Sequence, residues 1–290
     1  MRGSLLRRSS VTAGFAVLCL AGSTGARPFT KGVSYRIRVS SRLPAIMAGA
    51  GGDGAGPLVL ARATAVGNRA RFDLQAFQPM PAGVSLDDYL LVLDSNRTVF
   101  VNADEKTYVE AGKLLGSGGL GMLGAMAGGR RGGGGGGGFG NGTPQMDMTA
   151  LVTDFEKLAP DTTDGKQTQH YRIVAEMTIG AMGRQVPMRI VIDTWTASVA
   201  YHIINPFEGG AAPSSDDPAA KLTAKLAEYR KKIEGTPIKT VMTTTLTIDA
   251  GGGPMALDFG QTTTITDIKE MDVDEARFDI PAGFTKKGGS

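Results

Sequence analysis

The sequence predicts a mainly β protein (α+β) with an antiparallel sheet and one amphipathic helix. From residue 32 onward, most segments alternate apolar and polar residues with a period of two, which is typical of half-buried strands. Turn residues separate these segments at short intervals, as in antiparallel hairpins. One segment near residues 216–235 has instead the apolar spacing of a helix, with helix-capping residues around it.

Residues 1–26 have the three parts of a secretory signal peptide. Three arginines within the first eight residues precede an apolar run over residues 11–21, and small residues follow up to Ala26. The apolar run is about half as long as the ~20 residues that a membrane-spanning helix needs. We expect cleavage near Ala26, export to the periplasm or the outside of a bacterial cell, and a mature chain with no transmembrane segment.

Removal of this segment changes the charge and the cysteine content. Taking its three arginines from 31 basic residues leaves 28, which equals the 28 acidic residues, so the mature net charge is zero. This balance gives no argument for binding nucleic acid or an anionic membrane, which would need basic residues clustered on one face. The only cysteine, Cys19, is also removed, which excludes disulfides, thiolate metal ligands and a cysteine nucleophile.

The first half of the mature chain predicts an antiparallel meander. Residues 58–66 and 69–76 flank a Gly-Asn pair that suits positive φ, which favours a β-hairpin. A second hairpin turns at residues 94–97, within the run from Tyr89 to Val101. A further turn at 103–106 leads into a strand at residues 107–110.

The second half repeats this pattern. Residues 170–179 and 188–195 alternate clearly, and residues 199–204 form a further apolar run. Residues 238–249 and 256–268 are rich in threonine, whose β-branched side chain favours strands. Their apolar and polar residues alternate less regularly, which fits strands that are exposed on one face.

The predicted helix begins after Asp216 or Asp217, either of which suits the N-cap, and Pro218 suits its first turn. Gly235 occupies a position suited to a left-handed helix terminator. We expect the apolar stripe of the helix to pack on the sheet. The stripe consists of Leu222, Leu226, Tyr229 and Ile233.

Residues 112–142 contain 17 glycines in 31 positions, seven of them consecutive. Such a segment buries too little apolar surface to offset its backbone entropy. We therefore expect a disordered glycine-rich loop that interrupts a single domain of residues 32–284. Leucines and methionines in its first half fit transient contact with a membrane or a partner protein.

The motifs give no catalytic or cofactor site. Three glycines within residues 116–121 match G-x-G-x-x-G, but no helix pattern follows them. The two histidines, His170 and His202, are not at metal-ligand spacing. Acidic residues within the segment 161–165 are spaced as in a turn rather than a calcium loop. We predict no cofactor, no metal and no enzymatic activity.

Aromatic residues and the helix stripe provide the predicted ligand-binding residues. Trp195, the sole tryptophan, is predicted to close the sheet core under the helix, and the alternative is that it lines an apolar pocket. Tyr108, Tyr171 and Tyr229 have the same two interpretations, which are packing in the core or lining of an apolar pocket. The complete predicted set is Tyr108, Tyr171, Trp195, Leu222, Leu226 and Tyr229.

The order of these elements and several short phrases resemble the LolA-like superfamily, which has the lipoprotein-carrier fold. More specifically, they resemble its secreted bacterial branch, a domain of unknown function. The resemblance covers about residues 32–284 apart from the glycine-rich loop. It is carried by the signal peptide, an opening strand at 33–40, the turns at 94–97 and 102–108, the segment 165–173, Trp195 closing a strand, the phrase 235–238 after the helix, and the ending 278–284.

The resemblance implies a strongly curved antiparallel sheet that forms an unclosed barrel, with the helix on its concave side and room there for acyl chains. It implies no catalytic residue, and the glycine-rich insertion departs from the compact carriers. A one-sided sheet and one amphipathic helix must also enclose an apolar space on physical grounds.

Two functions follow as expectations. The first is an exported, non-enzymatic cell-envelope protein that binds a lipid, an acyl group or another apolar molecule in the concave face of the sheet. The alternative is a structural or interaction protein with a solid core and no small ligand. Its contact surface for an envelope protein partner would be the glycine-rich loop or the threonine-rich strands.

Overall fold

The computed structural model describes residues 29–44, 56–78, 80, 84–94, 97–111, 148–181, 184–207, 219–249 and 253–287. The predicted signal peptide, the glycine-rich loop and the predicted helix-capping residues 216–218 lie outside these residues.

The described chain is mainly β and forms a large, curved, unclosed sheet with one helix. Across the sheet the strands run in the order β13-β6-β5-β4-β3-β2-β1-β12-β11-β10-β9-β7, and β8 pairs with β9. All pairs are antiparallel except β13 with β6. The elements in chain order are β1 (Thr30–Arg42), β2 (Gly56–Val66), β3 (Arg69–Phe77), β4 (Tyr89–Asp94), β5 (Arg97–Asn102), β6 (Thr107–Glu110), β7 (Met148–Lys157), β8 (Asp161–Thr163), β9 (Lys166–Ala181), β10 (Arg184–Ala197), α1 (Ala219–Arg230), β11 (Thr236–Asp249), β12 (Pro254–Val273), a 3₁₀ turn (Glu275–Phe278) and β13 (Thr285–Lys286).

The predicted meander of the first half is confirmed as β1 to β6, each strand paired with the next. Gly67 has φ of 55° in the β2–β3 turn, which glycine adopts without a steric penalty. Asp164 and Gly165 both have positive φ between β8 and β9, so this acidic segment is a two-residue hairpin turn as predicted. The threonine-rich strands are β11 and β12, and β12 pairs with β1 to join the two halves.

The sheet has two faces of different chemistry. One face, called the helix face, carries the inward-pointing side chains of the long strands. These side chains lie opposite one another on neighbouring strands. Ile192 lies opposite Met242, Ile37 opposite Ile265, and Phe72 opposite Leu90. The other face, called the far face, carries the alternating polar positions. Side chains on a strand alternate between faces, so one register fixes which residues are buried.

Three apolar clusters form the core. The first lies on the helix face of β1 to β5, and the second lies on the helix face of β9 to β11 beneath α1. The third lies on the far face of β4 to β6, where Ile280 and Phe284 from the C-terminal segment pack on it. The two helix-face clusters are large enough to need covering, because an exposed apolar sheet face is unstable in water.

The cover comes from residues 198–207 and 219–235, together called here the cover segment, which are the described parts of the connection from β10 to β11. These two strands pair directly with each other, so a short hairpin turn would suffice to join them. Instead, Tyr201, Ile203, Ile204 and Phe207 pack on the first cluster, and α1 packs on the second. The apolar run at 199–204 is therefore an irregular covering strap, which explains its lack of polar alternation.

The helix is confirmed, but the predicted terminator is wrong. α1 ends at Arg230, and tight turns with bonds from Lys232 N to Tyr229 O and from Ile233 N to Arg230 O follow it. Gly235, with φ of 84°, instead directs the chain into β11. The helix needs no glycine there because these turns already satisfy carbonyls of its last turn.

Gly32 is required by close packing in β1. A Cβ atom at this position would lie 2.7 Å from the carbonyl oxygen of Ala65 and 2.7 Å from methyl groups of Val66 and Val273. We expect Gly32→Ala to lower the free energy of unfolding by about 1–3 kcal/mol through overpacking, as measured by urea denaturation. Gly260→Ala is the matched control, because its Cβ would meet the nearest atom, Arg42 Cβ, at an ordinary 3.4 Å. Equal effects of the two substitutions would contradict this account.

Candidate functional site

The candidate site is the helix face of the sheet where α1 covers it. The helix lies over β7 and β9 and directs its apolar stripe at the sheet. Leu222 and Leu226 retain only 2% and 1% of their exposure, and Tyr229 is also buried. Their partners on the sheet are Ile173, Ala175, Met177, Ile179, Met188, Ile190 and Ile192.

Three aromatic rings close one end of this site. Phe155 stacks on Tyr171 and on Tyr229, with ring centroids 5.9 Å and 5.5 Å apart. The hydroxyl of Tyr229 lies 2.9 Å from Thr153 Oγ1, and the hydroxyl of Tyr171 accepts a bond from the backbone N–H of Glu234. Both tyrosines therefore pin the helix end to β7 and β9 while their rings stay apolar.

The other end of the cover segment is fixed by Tyr35. Its hydroxyl donates to the carbonyl oxygen of Ile204 at 2.6 Å and accepts from the N–H of Ile204 at 3.2 Å. Burial raises the pKa of Tyr35 well above its ordinary value, so it remains neutral. Phe207 adds edge-to-face contact with Phe72, at 5.7 Å between centroids.

A row of threonines runs across the helix face between the two clusters. Thr194, Thr240 and Thr263 lie opposite one another on β10, β11 and β12. Thr194 and Thr263 are 5% and 6% exposed, and Thr240 is half-buried.

A cavity of about 250 Å³ opens where the cover segment leaves β10. Lys166, Val199, Tyr201, Ile268 and Glu270 are among its lining residues. Tyr201 donates a hydrogen bond to Glu270, and this bond together with Lys31 lowers the pKa of that carboxyl. A charged wall and a volume below the ~300 Å³ of typical ligand pockets make this cavity a poor match for an acyl chain.

Four of the six predicted ligand-binding residues come together on the helix face. Leu222, Leu226 and Tyr229 lie on α1, and Tyr171 stacks into the same aromatic group. Tyr108 does not join them. It is half-buried in the third cluster, on the far face and near the opposite end of the sheet, because it pairs with Val101 on β5.

The prediction that Trp195 closes the core under the helix, or lines an apolar pocket, is wrong. Trp195 is on the far face, half-buried, and stacked on His170 with ring centroids 4.3 Å apart. Its Nε1–H donates to Asp161 at 3.1 Å, and Lys239 lies 4.5 Å from its ring centroid. In a strand, Trp195 is an odd number of positions from Ile190 and Ile192 and therefore falls on the other face of the sheet. Strand period should have taken precedence over hydrophobicity in predicting its place.

Polar bonds continue beside this ring pair. His170 Nε2 and Arg172 Nε both lie 2.8 Å from Asp193 Oδ1. The backbone N–H of Thr162, and then the indole N–H of Trp195, lower the pKa of Asp161. The group therefore joins β8, β9 and β10 on the far face through charge-assisted bonds, and the cation–π contact of Lys239 adds β11.

Sequence reasoning missed Tyr35, Phe155 and Phe207. Phe155 is in β7, and Tyr35 is in β1, more than 100 residues apart, yet both hold the cover segment. Period-two alternation marks them only as inward-facing residues. No local signal shows which of them meets the cover segment, since that depends on the sheet order.

Within the described ranges, no group of three or more His, Cys, Asp or Glu side chains is arranged to hold a metal. No helix in this part of the chain is long and apolar enough to cross a membrane. No family model matches the chain, and searches of curated proteins and of solved structures also give no match.

The Tyr35 anchor predicts a measurable loss when its hydroxyl is removed. Tyr35→Phe leaves both backbone groups of Ile204 without this partner, and we expect the free energy of unfolding to fall by about 1–3 kcal/mol. Amide hydrogen exchange should also accelerate at Ile204. The control is Tyr201→Phe, whose hydroxyl bonds an exposed carboxylate, and an equal loss there would contradict the anchor role.

The Asp161–Trp195 bond predicts an acid-sensitive fluorescence signal. Because the folded-state pKa of Asp161 is lowered, its contribution to stability is present above the ordinary carboxyl range and is lost as pH falls through the folded pKa. We expect emission from this sole tryptophan to change below about pH 4. Asp161→Asn should remove the transition, and a transition that persists and coincides with loss of circular dichroism would contradict the assignment.

Proposed function

We propose that the protein is an exported, non-enzymatic cell-envelope protein of the LolA-like superfamily that binds a lipid or other apolar molecule. The ligand lies on the helix face, taken as the concave side of the curved sheet, beneath the cover segment. The observation that carries this proposal is that one connection, anchored near its ends, covers an apolar face that runs from β5 to β9.

The energy of opening supports a chain-like ligand. Lifting α1 exposes Leu222, Leu226 and Tyr229, at about 1.5–3 kcal/mol for each large apolar side chain. The total is about 5–9 kcal/mol, which about 6–11 buried methylene groups offset at ~0.8 kcal/mol each. An acyl chain of about ten carbons therefore replaces the helix stripe with little net cost.

Four features of the binding surface support an acyl ligand over a polar one. The surface is aliphatic along β9 and β10, aromatic at one end, and includes the adaptable side chains of Met177 and Met188. The threonine row supplies hydroxyls at its border. Mostly apolar walls with few polar groups are the usual composition of small-molecule sites.

A structural or interaction protein is the second candidate. It is favoured by the tight packing of Leu222 and Leu226, which fill the space under α1 in the described chain. In this case the cover segment stays closed, and the far-face threonines of β11 and β12 form a contact surface for an envelope protein.

Native mass spectrometry with lipid extraction tests the proposal. The mature protein is purified from a bacterial envelope under non-denaturing conditions. A stoichiometric acyl species is the expected result. A mass equal to that of the bare chain, with no displacement of a fluorescent fatty-acid probe, would overturn lipid binding in favour of the second candidate.

A substitution in the helix stripe separates the two candidates further. Leu226→Asp places a carboxylate where only 1% of the side chain is exposed, so α1 should detach from the sheet. We expect fatty-acid probe binding to be lost while the strand signal in circular dichroism persists. The control is Lys221→Asp on the exposed side of α1, which should leave probe binding unchanged. Loss of the whole strand signal in Leu226→Asp would support a solid core instead.

A further inference from the structure

The far face of β1 and β2 carries a cluster of arginines, called the arginine patch. Arg36, Arg38 and Arg42 alternate along β1, and Arg62 lies directly opposite Arg36 on β2. All four side chains are exposed. Adjacent strands are about 4.8 Å apart and alternate residues of one strand about 7 Å apart, so Arg36, Arg38 and Arg62 are close neighbours. Arg42 lies two alternate positions beyond Arg38 on the same face.

Few acidic groups neutralise the patch. Arg36 lies 3.4 Å from Asp267, and both side chains remain about half exposed. Asp73 lies opposite Arg62 in the register but bonds Arg71 at 2.8 Å. Among the described residues, no ion pair is found for Arg38, Arg42 or Arg62.

The pairing of Arg36 with Arg62 is itself unfavourable. Like charges placed directly opposite on antiparallel strands repel each other and lower stability. An anion that bridges the two guanidinium groups would remove this cost. Arginine is suited to that role, because its planar fork bonds phosphate oxygens in pairs.

Hydroxyl groups border the patch on the next strand. Thr264 lies opposite Arg38, and Thr266 lies opposite Arg36, both on β12 and half-buried. Beyond them Lys239 on β11 lies opposite Thr264. The result is a broad array of cations and hydroxyl donors on an open sheet face.

We propose that this face docks on an anionic membrane surface, with lipid phosphates bound to the arginine patch. The inference rests on the proposed function, since docking brings a lipid-binding envelope protein to the membrane that holds its ligands. Charge complementarity determines the choice of partner, and an open array of cations suits many separate headgroups. In this orientation the helix face is turned away from the bilayer, so docking places the protein at the membrane and does not itself load the site.

Vesicle co-sedimentation tests the proposal with the whole mature chain. Wild-type protein should bind vesicles of phosphatidylcholine with phosphatidylglycerol, and it should not bind phosphatidylcholine alone. Arg38→Thr/Arg62→Thr should weaken binding about 25-fold, at about fivefold per charge. The control Lys221→Ser/Lys231→Ser removes equal charge from two exposed positions of the cover segment and should bind like wild type. Added salt should weaken wild-type binding.

Folding and ligand binding are measured separately. Thermal stability of the double arginine variant should be unchanged or higher, because a like-charge pair is relieved. Fatty-acid probe binding should also persist in that variant. Failure of the wild-type protein to bind the probe would count against the proposed function alone. Equal vesicle binding by the arginine variant and wild type would overturn the docking proposal. Binding to heparin without binding to anionic vesicles would also overturn it, in favour of a soluble polyanion.

Discussion

A sheet that is apolar on one face needs a second layer, and here a single connection supplies it. Residues 198–207 leave β10 and cross the first cluster, and residues 219–235 form α1 over the second and lead into the adjacent strand β11. Closing so long a loop costs only slightly more entropy than closing a short one. The burial of Phe207, Leu222, Leu226 and Tyr229 offsets that closure cost. The position of the candidate site, its walls and its route of opening all follow from this connection.

The two faces of the sheet are stabilised by different interactions. The helix face is held by apolar packing, with Tyr35 and Tyr229 fixing the cover at separate points. The far face is held by charge-assisted bonds around Asp161 and Asp193 and by the C-terminal segment over β4 to β6. Exposed arginines occupy the region between these groups. The proposed apolar binding site and the proposed anion-binding surface thus lie on opposite faces of one layer of strands.

Period-two alternation predicted most strands, turn residues predicted the hairpin turns at Gly67 and Gly165, and helical spacing predicted the burial of Leu222 and Leu226. Each of these features depends on local sequence. The far-face position of Trp195 could also be predicted from its place in the strand alternation, and only its hydrophobicity favoured a position in the core. The strand order, the cover by residues 198–207 and the arginine patch were not available. Arg38 and Arg62 are 24 positions apart along the chain, and their proximity requires the pairing of β1 with β2.

The pairing of β1 with β12 has a consequence for the order of folding. Thr30 lies opposite Val273, so β1 can complete its pairing on this side only after β12, the last long strand, has formed. Contacts between such distant positions slow folding, since a long loop must close before they form. Until β12 is in place, β1 is an unpaired edge with one apolar side, the type of edge that invites association with other chains. A newly made chain therefore depends on protection from aggregation until nearly its whole length is available.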